Sequence, residues 1–203
     1  MKKLFLAHTF FILVLSVGFA QSKKAQKYYK QAIEIFEGAN LSKWKVDVTS
    51  AEKNKVLQKL NKSIELAPNW WNPYKEKIQV LIIGSWKTNA KAVNDVYKDW
   101  IQNGNDLDIK QQFSYACALY CYNNPEQAKK NLKKLNLELS NTLRNDEEKI
   151  YYLLSGIIIE NILIEDLEET VSNVLSESMI PFFEDFYNQF NENPRDILWA
   201  YAG

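Results

Sequence analysis

Histidine, cysteine and clustered carboxylates are the side chains of this chain that could take part in catalysis or bind a metal. The 203 residues include one histidine, His8, and two cysteines, Cys117 and Cys121. Hydrolases of the Ser-His-Asp and Cys-His types need a histidine base, and histidine is also the commonest zinc ligand. Any such mechanism in this protein must therefore use His8.

His8 lies in a segment that we expect to be removed from the mature protein. Residues 1–20 begin with a Lys-Lys pair, continue as an apolar run and end with Gly18 and Ala20, the three-part pattern of a secretory signal peptide. The run is too short for a membrane anchor, which needs about 20 apolar residues. We predict cleavage near Ala20, a mature chain that begins at Gln21, and a bacterial periplasmic or secreted location. Without histidine, that chain is excluded from most hydrolase and metalloenzyme mechanisms.

The two cysteines are one helical turn apart in the segment FSYACALYCY. On a helix, side chains at this spacing have Cβ atoms about 5–6 Å apart, whereas a disulfide needs about 3.5–4.5 Å. We therefore predict that Cys117 and Cys121 are buried thiols. The alternative, a redox pair, lacks the CxxC spacing that is typical of thioredoxin-like sites.

Two clusters of acidic residues are the remaining candidates for acid–base chemistry. They occupy Asp146–Glu148 and Glu165–Glu169, at predicted helix starts, where the helix dipole favours negative charge. A glycosidase-like pair needs two carboxyl groups about 5–9 Å apart across a cleft, and nothing in the pattern fixes such a distance. Glycine loops for phosphate, Cys/His metal spacings and calcium loops are also missing from the sequence. We predict no catalytic residues, no metal, no cofactor and no enzymatic activity.

Apolar residues at helical spacing predict the elements that position these side chains. The prolines and glycines of the mature chain fall almost entirely between the apolar-periodic segments, so they mark the turns. The fold class is therefore all-α, with about eight or nine helices. A β-strand at Ile157–Ile159 is an alternative, and Asn40–Thr49 is predicted to be a loop or a short extended segment. The predicted helices lie at about 22–37, 51–66, 72–83, 89–102, 107–122, 125–139, 146–164, 166–177 and 181–191.

Helices joined by short turns are typical of repeat proteins, and a period is visible in the second helices of the predicted pairs. A small or aliphatic residue that faces inward recurs at intervals of 34 and 38 residues, at Val56, Ala90 and Ala128. The segment Lys59–Pro68 (KLNKSIELAP) has the form of a second helix that ends at a proline. The segment Tyr115–Leu135 (YACALYCYNNPEQAKKNLKKL) has the form of a repeat centre, with alanines where paired helices touch.

These segments resemble the tetratricopeptide repeat (TPR), whose unit is 34 residues long. The resemblance covers about Ala25–Glu177 and implies stacked antiparallel helix pairs that form a short TPR-like α-solenoid. Proteins of this family usually hold peptides or partner proteins in a concave groove and rarely do chemistry. The resemblance therefore implies a non-enzymatic scaffold or adaptor for another protein or peptide of the cell envelope. A generic helical bundle is the alternative architecture.

We predict a single helical domain over residues 21–203, in which residues 180–203 form an aromatic capping helix and tail. A solenoid buries each unit only against its neighbours and needs capped ends. An exposed anchor for a partner is the alternative interpretation of this segment. Its aromatic stripe consists of Phe182, Phe183, Phe186, Tyr187 and Phe190.

Three tryptophans in predicted turns, Trp70, Trp71 and Trp86, are the candidate partner-binding residues. A turn tryptophan can keep one ring face available for a peptide, a sugar or a lipid interface. Tyr74 and Trp100 lie on apolar helix faces and are predicted to be core. The alternative function is accordingly a secreted carbohydrate- or lipid-binding module that uses the turn tryptophans.

The charges of the mature chain are unevenly distributed along the sequence. Residues 21–112 contain 16 basic and 10 acidic residues, whereas residues 113–203 contain 7 basic and 15 acidic residues. The mature net charge of −2 argues against a nucleic-acid-binding protein. The two halves could orient a protein partner, although solvated helix faces alone also account for such runs. We predict no transmembrane segment in the mature chain.

Overall fold

The computed structural model of the chain describes residues 22–38, 50–142 and 144–203. These ranges contain ten α-helices, one 3₁₀ turn at Glu177–Met179 and no β-strand, which confirms the prediction of an all-α protein. The predicted signal peptide and the segment Asn40–Thr49 lie outside the described residues. The helices are α1 (22–38), α2 (Ser50–Leu66), α3 (Trp71–Ile82), α4 (Trp86–Gln102), α5 (Ile109–Cys121), α6 (Pro125–Ser140), α7 (Asp146–Ile158), α8 (Ile164–Val174), α9 (Ile180–Glu192) and α10 (Pro194–Trp199).

The chain divides into two compact units, with the boundary between Ile83 and Gly84. The described part of the first unit consists of α1, α2 and α3. One apolar cluster joins the three helices, because α1 contributes Ala32, α2 contributes Leu60 and α3 contributes Val80. The Ser63 hydroxyl of α2 donates a 2.9 Å hydrogen bond to the Ala25 carbonyl of α1, which satisfies a fully buried hydroxyl.

The turn between α2 and α3 lies where Pro68 predicts the end of a helix. Helix α2 ends at Leu66, Pro68 lies in the turn, and the Trp70 amide donates a 3.1 Å hydrogen bond to the Ala67 carbonyl. Helix α3 then begins at Trp71 and packs against α2. The predicted helix–turn–helix is therefore present.

In the second unit, successive helices from α4 to α7 pack in chain order. Helix α5 is central, because it contacts α4, α6, α7 and α10. The small residues Ala116 of α5 and Ala128 of α6 are fully buried, as close packing of two helices requires. Ordered packing of this kind is what stacked helix pairs need, while the specific likeness to tetratricopeptide repeats stays a prediction.

Helix α7 ends earlier than its apolar pattern predicts. Its last helical residue is Ile158, and Glu160 adopts a left-handed backbone conformation with φ of 63°. The Asn161 amide then donates a 2.9 Å hydrogen bond to the Gly156 carbonyl, as in a Schellman helix end. The chain folds back so closely that a Cβ at Gly156 would lie 2.5 Å from Cδ1 of Ile162. The apolar residues after the turn therefore belong to the connection and to α8, and no strand forms at Ile157–Ile159.

The last residues of the chain form a helix, where the sequence predicts only a tail. Helix α10 packs against α5, α9 and α4, so residues 194–199 return to the middle of their unit. Leu198 and Ala202 are fully buried, and Trp199 is 9% exposed. Phe183, Phe186 and Phe190 of α9 are also buried, whereas Phe182 is 41% exposed. Most of the predicted aromatic stripe thus contributes to the core of the second unit.

Candidate functional site

Trp70 and Trp71 belong to the first unit, where each indole packs beside a tyrosine. The Trp70 ring centroid is 4.8 Å from that of Tyr29, and the Trp71 ring is nearly parallel to Tyr74 at 6.2 Å. Trp70 precedes α3 in the turn, as predicted, but Trp71 is the first residue of the helix. Both indoles are half-buried, so each packs with part of its ring and leaves the rest accessible.

Trp86 belongs to the second unit and is the first residue of α4, whereas the sequence places it in a turn. The preceding residue caps the helix, since the Ser85 side chain accepts a hydrogen bond from the Lys87 amide. The Trp86 indole N–H donates a 2.6 Å hydrogen bond to Asp196 Oδ1 of α10. The guanidinium carbon of Arg195 lies 5.0 Å from the Trp86 ring centroid. Trp86 is therefore held by residues about 110 positions away in the chain.

Trp86 forms one wall of a cavity of about 340 Å³, which we call the Trp86 cleft. Its apolar walls are the side chains of Trp86, Tyr120, Pro125 and Pro194. The polar groups around it are Glu192, Asn193, Arg195 and Asp196. Ligand sites commonly combine apolar walls with a few polar groups, and their volumes begin at about 300 Å³.

Two Asn-Pro junctions build the Trp86 cleft. Asn124 caps α6 by accepting a hydrogen bond from the Gln127 amide, and Pro125 occupies the first helical position. Asn193 and Pro194 form the corresponding junction between α9 and α10. Each Asn-Pro dipeptide predicts an abrupt helix start, but a third one, Asn72-Pro73, lies in the first turn of α3 in the first unit, so this signal alone does not identify the cleft.

A further contact joins the two junctions directly. Asn123 adopts a left-handed conformation with φ of 62°, which asparagine tolerates better than most residues. Its side-chain oxygen accepts a hydrogen bond from Arg195. The junction after α5 and the junction before α10 are therefore locked together at the cleft.

Cys117 and Cys121 are free, buried thiols, as the sequence predicts. Burial raises the pKa of Cys121 to about 12 and raises the pKa of Cys117 well above its usual value. The Cys121 thiol donates to the Arg195 carbonyl at 3.4 Å. Since the thiolate is the reactive form, neither residue is suited to redox chemistry at neutral pH.

The native protein is expected to resist thiol labelling. At pH 8 both groups stay protonated because this pH lies well below their raised pKa values, so labelling by DTNB should be on the order of 100-fold slower than in the unfolded chain. The absorbance of released thionitrobenzoate measures the rate, and the chain in guanidinium chloride is the control. Rapid labelling of one thiol in the native protein would contradict the buried arrangement.

The first acidic cluster acts at the start of α7. Asn145 caps the helix by accepting a 2.9 Å hydrogen bond from the Glu148 amide, and Glu148 Oε2 accepts a 2.7 Å hydrogen bond from the Arg144 amide. Asp146 and Glu147 are exposed in the first turn. Within the described residues no group of three or more His, Cys, Asp or Glu side chains could hold a metal ion. Stabilisation of the start of α7 is therefore enough to explain why these acidic residues occur together.

The second acidic cluster covers the solvent face of α8. Leu167 and Val171 turn inward and are buried, while Glu165, Asp166, Glu168 and Glu169 are exposed. Two aliphatic side chains at the start of this helix are also accessible, with Leu163 44% and Ile164 47% exposed. We call these six exposed residues the α8 face. The carboxylates lie on the outward side of α8, and the two aliphatic side chains lie at its N-terminal end, on either edge of the buried stripe.

Over the described ranges, no helix is both long enough and apolar enough to cross a lipid bilayer. The α8 face and the Trp86 cleft each combine apolar side chains with charge, and both belong to the second unit. Comparison of the chain with protein-family models, with curated proteins and with solved structures finds no match.

Proposed function

We propose that this protein is an exported, non-catalytic helical scaffold that binds a basic, amphipathic segment of another envelope protein. The observation that carries the proposal is the α8 face, where Leu163 and Ile164 are exposed beside four carboxylates. A partner segment with lysines or arginines on one side and apolar residues on the other would complement both properties.

The two components of the α8 face would make different contributions to binding. Burial of the two aliphatic side chains supplies affinity, since removing apolar surface from water stabilises a complex by about 25 cal/mol per Å². The carboxylates accelerate encounter and reject acidic partners, because charge complementarity acts mainly on association rate and specificity. Binding is therefore expected to weaken as salt rises.

A second copy of the chain is the competing occupant of the α8 face. Helix α1 has four exposed lysines, Lys23, Lys24, Lys27 and Lys30, so it could offer the required positive charge. Aliphatic side chains are scarce on that side of α1, which favours a different protein as the partner. The measurement of oligomeric state distinguishes the two.

Affinity capture from an envelope extract of the source cells tests the proposal. The wild-type mature chain is compared with a Leu163→Ser/Ile164→Ser variant and with a Glu165→Lys/Glu168→Lys variant. Leu137→Ser is the matched control, since Leu137 on α6 is 67% exposed and lies outside the α8 face. We expect one stoichiometric protein with the wild type and the control, and its loss with both α8 variants.

Three outcomes would contradict the proposal. Capture of the same protein by every variant would show that this protein binds outside the α8 face. Capture of no protein would show that the extract contains no partner for the chain. A concentration-dependent dimer in sedimentation, abolished by the α8 variants, would assign the face to self-association. Export is tested separately by the intact mass of the protein in the envelope fraction, which should lack residues 1–20.

A further inference from the structure

The Trp86 cleft is a second surface with ligand-binding character, and it is distinct from the α8 face. Five helix ends meet there, at the starts of α4, α6 and α10 and at the ends of α5 and α9. Its volume of about 340 Å³ is near the lower end of the range for small-molecule sites. The cleft is therefore suited to a ligand of one or two rings.

The polar groups of the cleft are held in place without a ligand. Asp196 accepts the hydrogen bond from the Trp86 indole, and Arg195 donates to Asn123 while its guanidinium lies against the Trp86 ring. Arg195 is also fixed through its backbone, because its carbonyl accepts the Cys121 thiol. Side chains already ordered in this way lose little conformational freedom when a ligand binds.

The mixture of groups indicates the chemistry of that ligand. Glu192 and Asp196 offer acceptors, Arg195 offers donors, and the Asn193 amide offers both. A strongly charged ligand of either sign would meet at least one like charge in the cleft. A neutral molecule with several hydroxyl groups has no such penalty, since each hydroxyl both donates and accepts.

We propose that the Trp86 cleft binds a neutral saccharide of one or two pyranose rings. The C–H face of the sugar lies against Tyr120, the two prolines and the part of the Trp86 ring that the cations of Arg195 and Lys87 leave exposed. Its hydroxyls face the carboxylates, the amide and the guanidinium. An aromatic wall of this kind suits a ligand with one apolar face and one polar edge.

Fluorine NMR of the chain labelled with 5-fluorotryptophan tests the proposal. The sequence contains six tryptophans, and the resonance missing from a Trp86→Phe variant identifies Trp86. The probes are cellobiose, maltose, lactose and N,N′-diacetylchitobiose, with a proline-rich decapeptide as the alternative ligand. We expect at least one disaccharide to shift the Trp86 resonance with a Kd of about 0.1–10 mM, which is typical of a small, open site.

Two variants test the roles of the wall and the polar rim. Trp86→Ala and Glu192→Ala should each weaken saccharide binding by about tenfold, measured by calorimetry. Glu192 is exposed, so its variant keeps the test valid if Trp86→Ala is destabilised. Trp70→Phe in the first unit is the matched control and should bind normally.

The proposal would be overturned if no disaccharide shifts the resonance at about 50 mM, far above the expected Kd range. It would also be overturned if only the proline-rich peptide shifts it, since the cleft would then be a peptide site. The Leu163→Ser/Ile164→Ser variant should bind saccharide normally. Failure of the scaffold proposal is therefore distinguishable from failure of this one.

Discussion

A chain truncated after Asn193 is expected to lose the cooperative fold of its second unit. The deletion removes α10 and the last four residues, which contribute the buried side chains of Leu198, Trp199 and Ala202. It also removes the Ala202 carbonyl that accepts from the Tyr97 hydroxyl at 3.2 Å, and Tyr97 is itself buried. Loss of a buried tryptophan alone typically costs about 3–5 kcal/mol, and a whole domain has about 5–15 kcal/mol of stability.

Hydrogen exchange and chemical denaturation measure this loss. We expect α4, α5 and α9 to lose amide protection, and we expect the truncated chain to bind ANS because the aromatic surface of Phe113 and Phe186 becomes exposed. Deletion of Gly203 alone is the control, since that residue has no side chain to bury. A sharp denaturation transition with unchanged protection in the truncated chain would show that α10 is dispensable.

Phe113→Ala is expected to destabilise the second unit by about 3–5 kcal/mol. Phe113 is fully buried on α5, the central helix of that unit. Its ring lies 5.2 Å from that of Tyr151 on α7 and meets the Tyr201 ring edge-on at 6.0 Å. Truncation to alanine therefore leaves a cavity at the point where two helices and the C-terminal residues meet. Guanidinium denaturation followed by circular dichroism measures the change.

Phe182→Ala is the matched control for this substitution. Phe182 is 41% exposed on α9 and meets the Phe183 ring edge-on at a centroid distance of 5.0 Å, so its removal should cost about 1 kcal/mol or less. Equal losses for the two variants would show that the Phe113 cluster does not form the core. A larger loss of unfolding free energy for Phe182→Ala would show that Phe182, and not Phe113, belongs to the core.

The elements of this fold are largely predictable from local signals. Pro125 begins α6 as predicted, because proline fits the first helical position and its missing N–H has no cost there. Pro68 follows the end of α2, as predicted. Ala116 and Ala128 are buried, as expected for the small residues at which paired helices touch. Each of these signals depends only on residues that are close together in the chain, so it can be recognised from the sequence.

The candidate sites depend on contacts that local signals do not contain. The partner of Trp86 is Asp196, and nothing within a helix turn of either residue indicates the other. The left-handed Glu160 that ends α7 is equally hidden, because glutamate is not a residue that typically marks a helix end. For Trp70 and Trp71, sequence predicts accessible rings but not the tyrosines that cover part of each.

The return of α10 to the middle of its unit also affects the order in which the protein can fold. Trp199 donates its indole N–H to the Gly84 carbonyl at 2.7 Å, which joins the first and last parts of the unit across 115 positions. Contacts between distant residues slow folding, since a long loop must close before they form. During synthesis, α4 and α5 emerge long before the residues that cover them. The second unit can therefore complete its core only after Trp199 and Ala202 have been synthesised, so α4 and α5 lack part of their covering residues until then.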